Sequence, residues 1–304
     1  MHDSRTLTEK FLRYMQTEKR ASEHTLQAYR ADLADFFDCV FGSREMIETE
    51  EITRPLVRRW IAEMTKKGLN PRTVNRRVSA LNSFFKYLRR ANIVEHNPVA
   101  GTVKPKISKR LPVFIPEDKI AAALDFRPDT EKNDYAALRD RVIPELFYAT
   151  GMRISELVNL RHRDIDFSLR QIKVTGKRNK ERIIPMTNNI REILADYTTK
   201  KREFFPAPDS DQLFLSASGG KIGTNAVYLI VRKRLQIGGV TGKCNPHVLR
   251  HTFATHMLNN GADLTGVKEL LGHAGLAATQ IYTHNTFEKL KKIHDSAHPR
   301  ADVK

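Results

Sequence analysis

The chain has 304 residues, which is too long for one average domain and enough for two that each bury a core. Its 52 Lys and Arg exceed its 35 Asp and Glu, and the formal net charge of +17 is spread along the sequence, which favours a polyanionic partner over a merely soluble basic protein. Two distant cysteines exclude a disulfide framework. No apolar leader and no run of about eighteen apolar residues is present, so we expect a cytoplasmic protein without a membrane segment.

Residues 1–100 have the pattern of a helical domain, with capping or first-turn residues at Ser22, Thr53 to Pro55 and Asn70 with Pro71. The clearest helix spans Thr73 to Arg90. Its apolar residues recur every three or four positions and form one buried stripe: Val74, Val78, Leu81, Phe85 and Leu88. Its cations form a separate basic face: Arg76, Arg77, Lys86, Arg89 and Arg90. We expect this basic face either to contact phosphate or simply to be solvated.

Residues 101–112 separate this helical region from the rest of the chain. The segment has prolines, several cations and no apolar period, which is typical of an extended basic linker. We therefore place an N-terminal domain at 1–100 and a C-terminal domain at 113–304. Such a linker would let the two domains close around a duplex as a C-shaped clamp, and an ordinary surface loop is the alternative.

The C-terminal region combines helices with one short hairpin, so the predicted fold class is mainly α with a small β-sheet. Helices are predicted over 134–149 and 154–160, and strands over 171–175 and 182–185, joined by a basic loop. A later helix begins with Asn245 as its N-cap and Pro246 in its first turn, and it ends at Gly261. On this helix His247 and Arg250 share one face. The apolar residues of the helix lie on another side: Leu249, Phe253 and Met257.

Cleaving a DNA strand without a metal requires fixed cations, an attacking group and a proton donor. Arg153 and Arg250 offer forked guanidinium groups that match two phosphate oxygens and stay charged at any working pH. Lys177, at the tip of the predicted hairpin, is the candidate acid for the departing 5′ oxygen, although Lys180 lies in the same loop. The alternative for Arg153 is an ordinary surface ion pair.

Tyr282 is the candidate nucleophile, and it follows the sequence Leu271-Gly272-His273 after eight residues. A tyrosine phenol is almost wholly protonated at neutral pH, so attack needs a positive field and a base, for which His247 is the candidate. His273 can donate a hydrogen bond to a phosphate oxygen or help to seat the tyrosine. The alternatives are a half-buried aromatic residue and satisfied polar histidines. No HExxH or carboxylate-bearing motif accompanies the histidines, so we expect neither a metal nor another cofactor.

Five motifs together resemble those of the tyrosine recombinases (the phage integrase family), close to the Xer type. They are TGMRISEL at 150–157, GKRNKER at 176–182, PHVLRHTFATH at 246–256, LLGH at 270–273 and TQIYTH at 279–284. The stretch SEHTLQAY at 22–29 is similar to part of the family's helical, SAM-like core-binding domain. The resemblance runs in family order and covers nearly the whole chain. It implies a two-domain DNA-cleaving and rejoining enzyme that needs neither metal nor ATP.

The resemblance also implies roles for individual residues. Tyr282 matches the nucleophile that forms a 3′-phosphotyrosyl bond, and Lys177 matches the hairpin acid. Four residues match the rest of the phosphate pocket: Arg153, His247, Arg250 and His273. The choice of Lys177 over Lys180 rests on this resemblance alone.

The partners implied are a double-stranded DNA recombination site and an assembly of four protomers on two such sites, built from this chain alone or with a second recombinase. Some relatives also require a DNA translocase. Each protomer would insert a C-terminal helix into its neighbour. Phe287, Leu290 and Ile293 give such a helix an apolar face here, and packing on its own domain is the alternative.

Three functional hypotheses follow. The leading one is an Xer-type site-specific recombinase that resolves chromosome dimers. A mobile-element integrase or invertase would use the same chemistry, and chain length without an extra arm-binding domain favours the Xer-like role. The third hypothesis is a DNA-binding protein without catalysis. A type IB topoisomerase-like relaxing activity would be compatible with either enzyme.

Overall fold

The computed structural model divides the chain into two compact units, Met1–Arg110 and Leu111–Lys304. It describes residues 2–42, 46–107, 114–125, 135–176, 180–206, 211–272 and 284–300. Within these ranges the chain is mainly helical, with a two-stranded and a three-stranded antiparallel sheet, which confirms the predicted fold class. No helix in these ranges is both long and apolar enough to cross a membrane.

In its described residues the N-terminal unit contains these α-helices: α1 (Ser4–Thr17), α2 (Glu23–Phe41), α3 (Arg54–Lys66) and α4 (Pro71–Arg90). Strands β1 (His2–Asp3) and β2 (Met46–Ile47) pair antiparallel beside them. The core contains an aromatic group of fully buried rings: Phe11, Phe36, Trp60, Phe84 and Phe85. Edge-to-face contacts join several of these rings, for example Phe36 with Trp60 at a centroid distance of 4.9 Å.

The predicted cap positions start helices in this unit, although one of them lacks the expected bond. Ser22 and Asn70 accept hydrogen bonds from the first-turn amides of α2 and α4. Helix α4 therefore begins at Pro71, two residues before the predicted start. Thr53 precedes α3, but its side chain makes no capping hydrogen bond. The stripe predicted along α4 from Val74 to Leu88 is fully buried.

The basic face of α4 is not free along its whole length. Arg76 pairs with the buried Asp32 of α2 at 2.5 Å, and Arg77 pairs with Asp35 at the same distance. These two arginines therefore tie α4 to α2. Lys86 and Arg89 at the other end of the helix are exposed. Phosphate contact by this basic face stays a prediction.

The described part of the C-terminal unit contains an antiparallel sheet with strand order β3-β4-β5. Its strands are β3 (Ile165–Asp166), β4 (Gln171–Thr175) and β5 (Glu181–Pro185). The β4–β5 hairpin is the predicted one, with Ile172 paired to Ile184 and Val174 paired to Arg182. At its end the amide of Gly176 donates to the carbonyl of Lys180 at 2.7 Å.

Helices surround this sheet: α5 (Glu117–Asp125), α6 (Tyr135–Thr150), α7 (Ile154–Val158), α8 (Asn188–Phe204), α9 (Thr224–Ile237), α10 (Pro246–Asn259), α11 (Leu264–Leu271) and α12 (His284–Ala297). Helix α7 ends two residues before the predicted Leu160. Helix α10 begins as predicted, because the Asn245 side chain accepts from the amide of Val248 at 3.0 Å. It ends just before Gly261, whose φ of +87° stops it. The predicted α10 stripe of Leu249, Phe253 and Met257 is fully buried.

Helix α12 packs on its own unit. Leu290 is fully buried and Ile293 packs against the same apolar cluster, which includes Phe253 and Leu270. The His294 ring donates from Nε2 to the carbonyl of Ala149 at 2.9 Å. Of the two uses expected for the apolar face of this helix, the structure describes packing within the unit, and exchange between protomers stays a prediction.

A buried histidine joins the end of α12 to α6. His298 donates from Nε2 to the carbonyl of Tyr148 at 3.1 Å, and its Nδ1 accepts from the amide of Arg300 at 3.1 Å. Both ring nitrogens are thus engaged in the neutral form. Burial, and then the proximity of His294, lower the pKa of His298 to about 3.

This histidine predicts acid sensitivity of the C-terminal unit. In the unfolded chain His298 binds a proton below about pH 6.5, whereas the folded unit does not until about pH 3, so stability present above pH 6.5 is lost as the pH falls. At pH 5 the loss is about 2 kcal/mol from this residue. Urea unfolding at pH 7.5 and 5, followed by circular dichroism, measures it. Fluorescence of the single tryptophan, Trp60, reports the N-terminal unit as an internal control.

The variant His298→Gln tests the assignment, because glutamine offers a donor and an acceptor but does not titrate. Its stability should depend less steeply on pH than that of the native chain. An unchanged slope between pH 7.5 and 5 would show that His298 is not responsible.

Candidate active site

Three arginines meet at the carboxyl end of α11. Successive backbone carbonyls each accept a hydrogen bond from a different one: Leu270 from Arg182 Nε at 2.8 Å, Leu271 from Arg250 Nη2 at 2.6 Å, and Gly272 from Arg153 Nη2 at 3.1 Å. The carbonyls at a helix end have no partner within the helix and carry partial negative charge. The end of α11 is therefore a natural place to hold cations side by side.

One carboxylate, that of Glu156, lies among these guanidinium groups. It receives two hydrogen bonds from Arg182, at 2.7 and 2.9 Å, and one from Arg153 Nη1 at 2.8 Å. It also accepts the backbone amide of Arg153 at 2.7 Å, as expected for an acidic residue in the first turn of α7. Burial alone would raise the pKa of Glu156, but the bonds and charge of Arg182, with those of Arg153, hold it below its usual value.

Arg250 is an arginine of this group whose pKa is lowered by its surroundings. It donates to the carbonyl of Gly151 at 2.5 Å as well as to Leu271. Burial, followed by repulsion from Arg153 and Arg182, lowers the pKa of its guanidinium to about 10, although Glu156 opposes the shift. The group stays charged at neutral pH. An anion placed beside it would relieve both the burial cost and the repulsion.

Gly151 shapes the turn that presents this carbonyl. It connects α6 to α7 with a φ of +58°, a conformation that favours glycine. A Cβ atom there would lie 2.5 Å from the Phe253 ring and 2.8 Å from Leu271. The glycine is therefore required both by its backbone angle and by the close approach of α10 and α11.

His247 lies on the first turn of α10, three residues before Arg250, as the sequence predicted. The residue is exposed, and its ring makes no hydrogen bond to any other described residue. A histidine in that condition can accept a proton from a group brought close to it.

The other three predicted site residues, Lys177, His273 and Tyr282, lie outside the described residues. Two of their chain neighbours are described. Gly176 precedes Lys177, and a Cβ atom on it would lie 3.2 Å from Oε1 of Glu156. Gly272 precedes His273 and accepts the bond from Arg153. Gly176 and Gly272 therefore both lie beside the arginine cluster, which consists of Arg153, Arg182, Arg250 and Glu156.

Comparison with known proteins identifies the fold and family. The family model described as the phage integrase family matches residues 114–289, and the model for the phage integrase N-terminal SAM-like domain matches residues 8–92. The chain belongs to the phage integrase family. Its members include tyrosine recombinases, and the tyrosine recombinase XerC of Pelotomaculum thermopropionicum is 41% identical over 96% of this chain and 97% of the relative. XerC of Shewanella amazonensis is 38% identical over 100% and 99%, respectively.

Solved recombinase structures share the fold of this recombinase. XerH bound to palindromic difH in a post-cleavage complex has a TM-score of 0.70 at 22% identity, with 94% of this chain and 83% of that chain covered. The Tn1549 transposon integrase in complex with transposon right end DNA has a TM-score of 0.71 at 18% identity, with 96% and 99% covered. At these identities the likeness concerns the fold.

The sequence did not predict two members of the arginine cluster, Glu156 and Arg182. A partial signal exists for each. Glu156 follows Arg153 by three residues, which is the spacing of neighbours on one helix face. Arg182 shares the buried face of β5 with Ile184, and a cation at an inward position of a strand requires a partner. Neither signal identifies the partner, because Arg182 reaches Glu156 across 26 residues.

The tight turn at Gly151 gives a prediction for this site. Gly151→Ala should lower the free energy of unfolding by about 2–4 kcal/mol, because alanine is disfavoured at this φ and its methyl group overlaps Phe253. Urea unfolding measures the loss. The control is Gly223→Ala, where φ is −86° and no atom lies within 4 Å of the added methyl group. Equal effects of the two substitutions would contradict the packing described here.

Proposed function

We propose that this recombinase cleaves and rejoins DNA through a covalent bond between Tyr282 and the 3′ phosphate of the broken strand, with Arg153, Lys177, His247, Arg250 and His273 as the other catalytic residues. The observation that carries the proposal is the arginine cluster at the end of α11. Among Arg153, Arg182, Arg250 and Glu156, three positive charges face one negative charge, an excess of two. Such a pocket favours an anion.

A phosphodiester in the reaction matches this excess. The linkage carries one negative charge, and attack by an oxyanion adds a second charge that is shared by the non-bridging oxygens. Arg153 and Arg250 are held by fixed backbone carbonyls, so they need little rearrangement as the charge develops. Arg153 is also 34% exposed, which leaves its guanidinium accessible to a substrate.

Each step of the proposed chemistry forms one phosphoester bond and breaks another, so the number of such bonds stays the same. The Tyr282 oxygen, deprotonated with help from His247, attacks phosphorus, and the bond from phosphorus to the 5′ oxygen breaks. Lys177 protonates that leaving oxygen, which becomes a 5′ hydroxyl. His273 donates a hydrogen bond to a non-bridging oxygen. In the second step a 5′ hydroxyl from the partner strand gives its proton to Lys177 and attacks phosphorus, and the bond from phosphorus to the Tyr282 oxygen breaks. The Tyr282 oxygen then recovers its proton from His247.

We propose that this recombinase acts in the cytoplasm in an Xer-like role, the resolution of chromosome dimers. Its substrate would be double-stranded DNA. The support is the identity of about 40% to proteins named XerC, over nearly the whole length of both chains. We further propose that four protomers assemble on two DNA sites, either of this chain alone or with a second recombinase. The domains predicted from the sequence, 1–100 and 113–304, joined by the basic segment 101–112, would act as the two parts of a clamp.

A covalent-trapping experiment tests the chemistry. The recombinase is incubated with EDTA and a lightly nicked pool of genomic fragments, where a nick next to a cleavage site lets the short 5′-hydroxyl fragment diffuse away. The native chain should form a protein–DNA adduct that survives detergent, and sequencing the trapped DNA would identify the site. Tyr282→Phe should bind the same DNA without forming an adduct.

Two outcomes would count against the proposal. An adduct formed equally by Tyr282→Phe would assign the nucleophile to another residue. Tight, salt-dependent binding with no adduct across the pool would favour a DNA-binding protein without catalysis of its own.

A further inference from the structure

Arg182 is a buried cation that the proposed chemistry does not use. It lies on β5 with 4% of its surface exposed. Its Nη1 and Nη2 atoms donate to the two oxygens of Glu156 at 2.7 and 2.9 Å, and its Nε atom donates to the carbonyl of Leu270 at 2.8 Å. All three nitrogens of the guanidinium are thus engaged by the protein, so this group is not arranged to touch a substrate.

The bonds of Arg182 join three separate segments that carry the proposed catalytic residues. Its own strand follows the hairpin loop that contains Lys177. Its partner Glu156 lies on α7 and binds Arg153 through both the side chain and the backbone amide. Its third bond holds the end of α11, two residues before Gly272, which accepts from Arg153.

Close packing at the end of α11 adds to this connection. Gly272 has a φ of +63°, and a Cβ atom there would lie 3.0 Å from Cδ of Arg182. The turn at Gly272, the residue before His273 in the sequence, therefore lies directly against the Arg182 side chain. A displacement of Arg182 would release this turn as well as Glu156.

Stability alone is a weak explanation for this ion pair. A buried ion pair is often no more stabilising than apolar residues of the same volume, because both charges must leave water. Its geometry is more specific than an apolar contact, since the planar fork of arginine fixes the angle and position of the carboxylate it binds.

We infer that Arg182 is a positioning residue for strand cleavage: it fixes the Glu156 carboxylate, and through it the Arg153 guanidinium, while it holds the turn that leads to His273. This inference rests on the proposed function. Lysine could not replace arginine here, because a single ammonium cannot hold both carboxylate oxygens in a planar fork and also reach Leu270.

The chain offers a matched control in Arg139. This arginine is also buried in the C-terminal unit, with 8% of its surface exposed. It donates twice to Asp140, at 2.9 and 2.7 Å, and once to the carbonyl of Leu215 at 3.1 Å. Its bonding resembles that of Arg182, but its partners are not members of the arginine cluster.

The experiment compares Arg182→Lys with Arg139→Lys in the full-length chain. It measures urea unfolding, DNA affinity and the single-turnover cleavage rate at saturating protein on a nicked substrate. We expect Arg182→Lys to cleave at least about thirtyfold more slowly, with DNA affinity within about threefold of native. Arg139→Lys should cleave within about threefold of the native rate, even if its free energy of unfolding falls as much as that of Arg182→Lys.

A double-mutant cycle with Arg153→Ala separates positioning from a merely structural role. If Arg182 acts through Arg153, the Arg153→Ala substitution should slow cleavage at least about tenfold less in the Arg182→Lys chain than in the native chain. In the Arg139→Lys chain its effect should be unchanged. Multiplicative, independent effects of Arg182→Lys and Arg153→Ala would overturn the inference, as would native cleavage by Arg182→Lys.

A replacement variant and the adduct formed by the native chain complete the experiment. If Arg182→Lys does not fold, Arg182→Gln takes its place, because it buries no charge and leaves Glu156 paired with Arg153. If the native chain forms no adduct at all, the proposed function fails. If the native chain forms the adduct and the Arg182 variants cleave equally fast, only the positioning role fails.

Discussion

Like charges held close together repel, and the C-terminal unit of this recombinase holds three guanidinium groups at one helix end. Burial, and then repulsion from Arg153 and Arg182, lower the pKa of Arg250 to about 10. Only one carboxylate, that of Glu156, offsets them within the described cluster. The favourable free energy of folding the rest of the unit must therefore offset this repulsion, and a bound anion would reduce it.

The end of α11 makes this arrangement possible. The carbonyls of Leu270, Leu271 and Gly272 point at three different arginines, which come from β5, α10 and the start of α7. Each of these elements is anchored elsewhere in the apolar core of the unit. The pocket is consequently preformed, and its geometry depends on the packing of elements far apart in the sequence. This is the physical basis for expecting electrostatic stabilisation rather than binding alone.

Local patterns in the sequence predicted much of this fold. The stripe of α4, the β4–β5 hairpin and the capped start of α10 follow from periodicity and from Asn70 and Asn245. Contacts between distant segments could not be predicted in this way. The pairing of Arg76 with Asp32 and of Arg182 with Glu156 depends on how the helices and the sheet meet. For the same reason the apolar face of α12 was predictable, whereas its packing on the α10–α11 cluster was not.

We propose that the arginine cluster stabilises negative charge on the scissile phosphate. The most direct measurement compares cleavage of a normal phosphodiester with cleavage of a methylphosphonate, in which a methyl group replaces one charged oxygen, by the native chain and by Arg250→Ala. Arg250→Ala should slow cleavage of the phosphodiester by about 10²–10³ and cleavage of the uncharged linkage by far less. An equal loss on both substrates would contradict this proposal, because Arg250 would then act by something other than its charge.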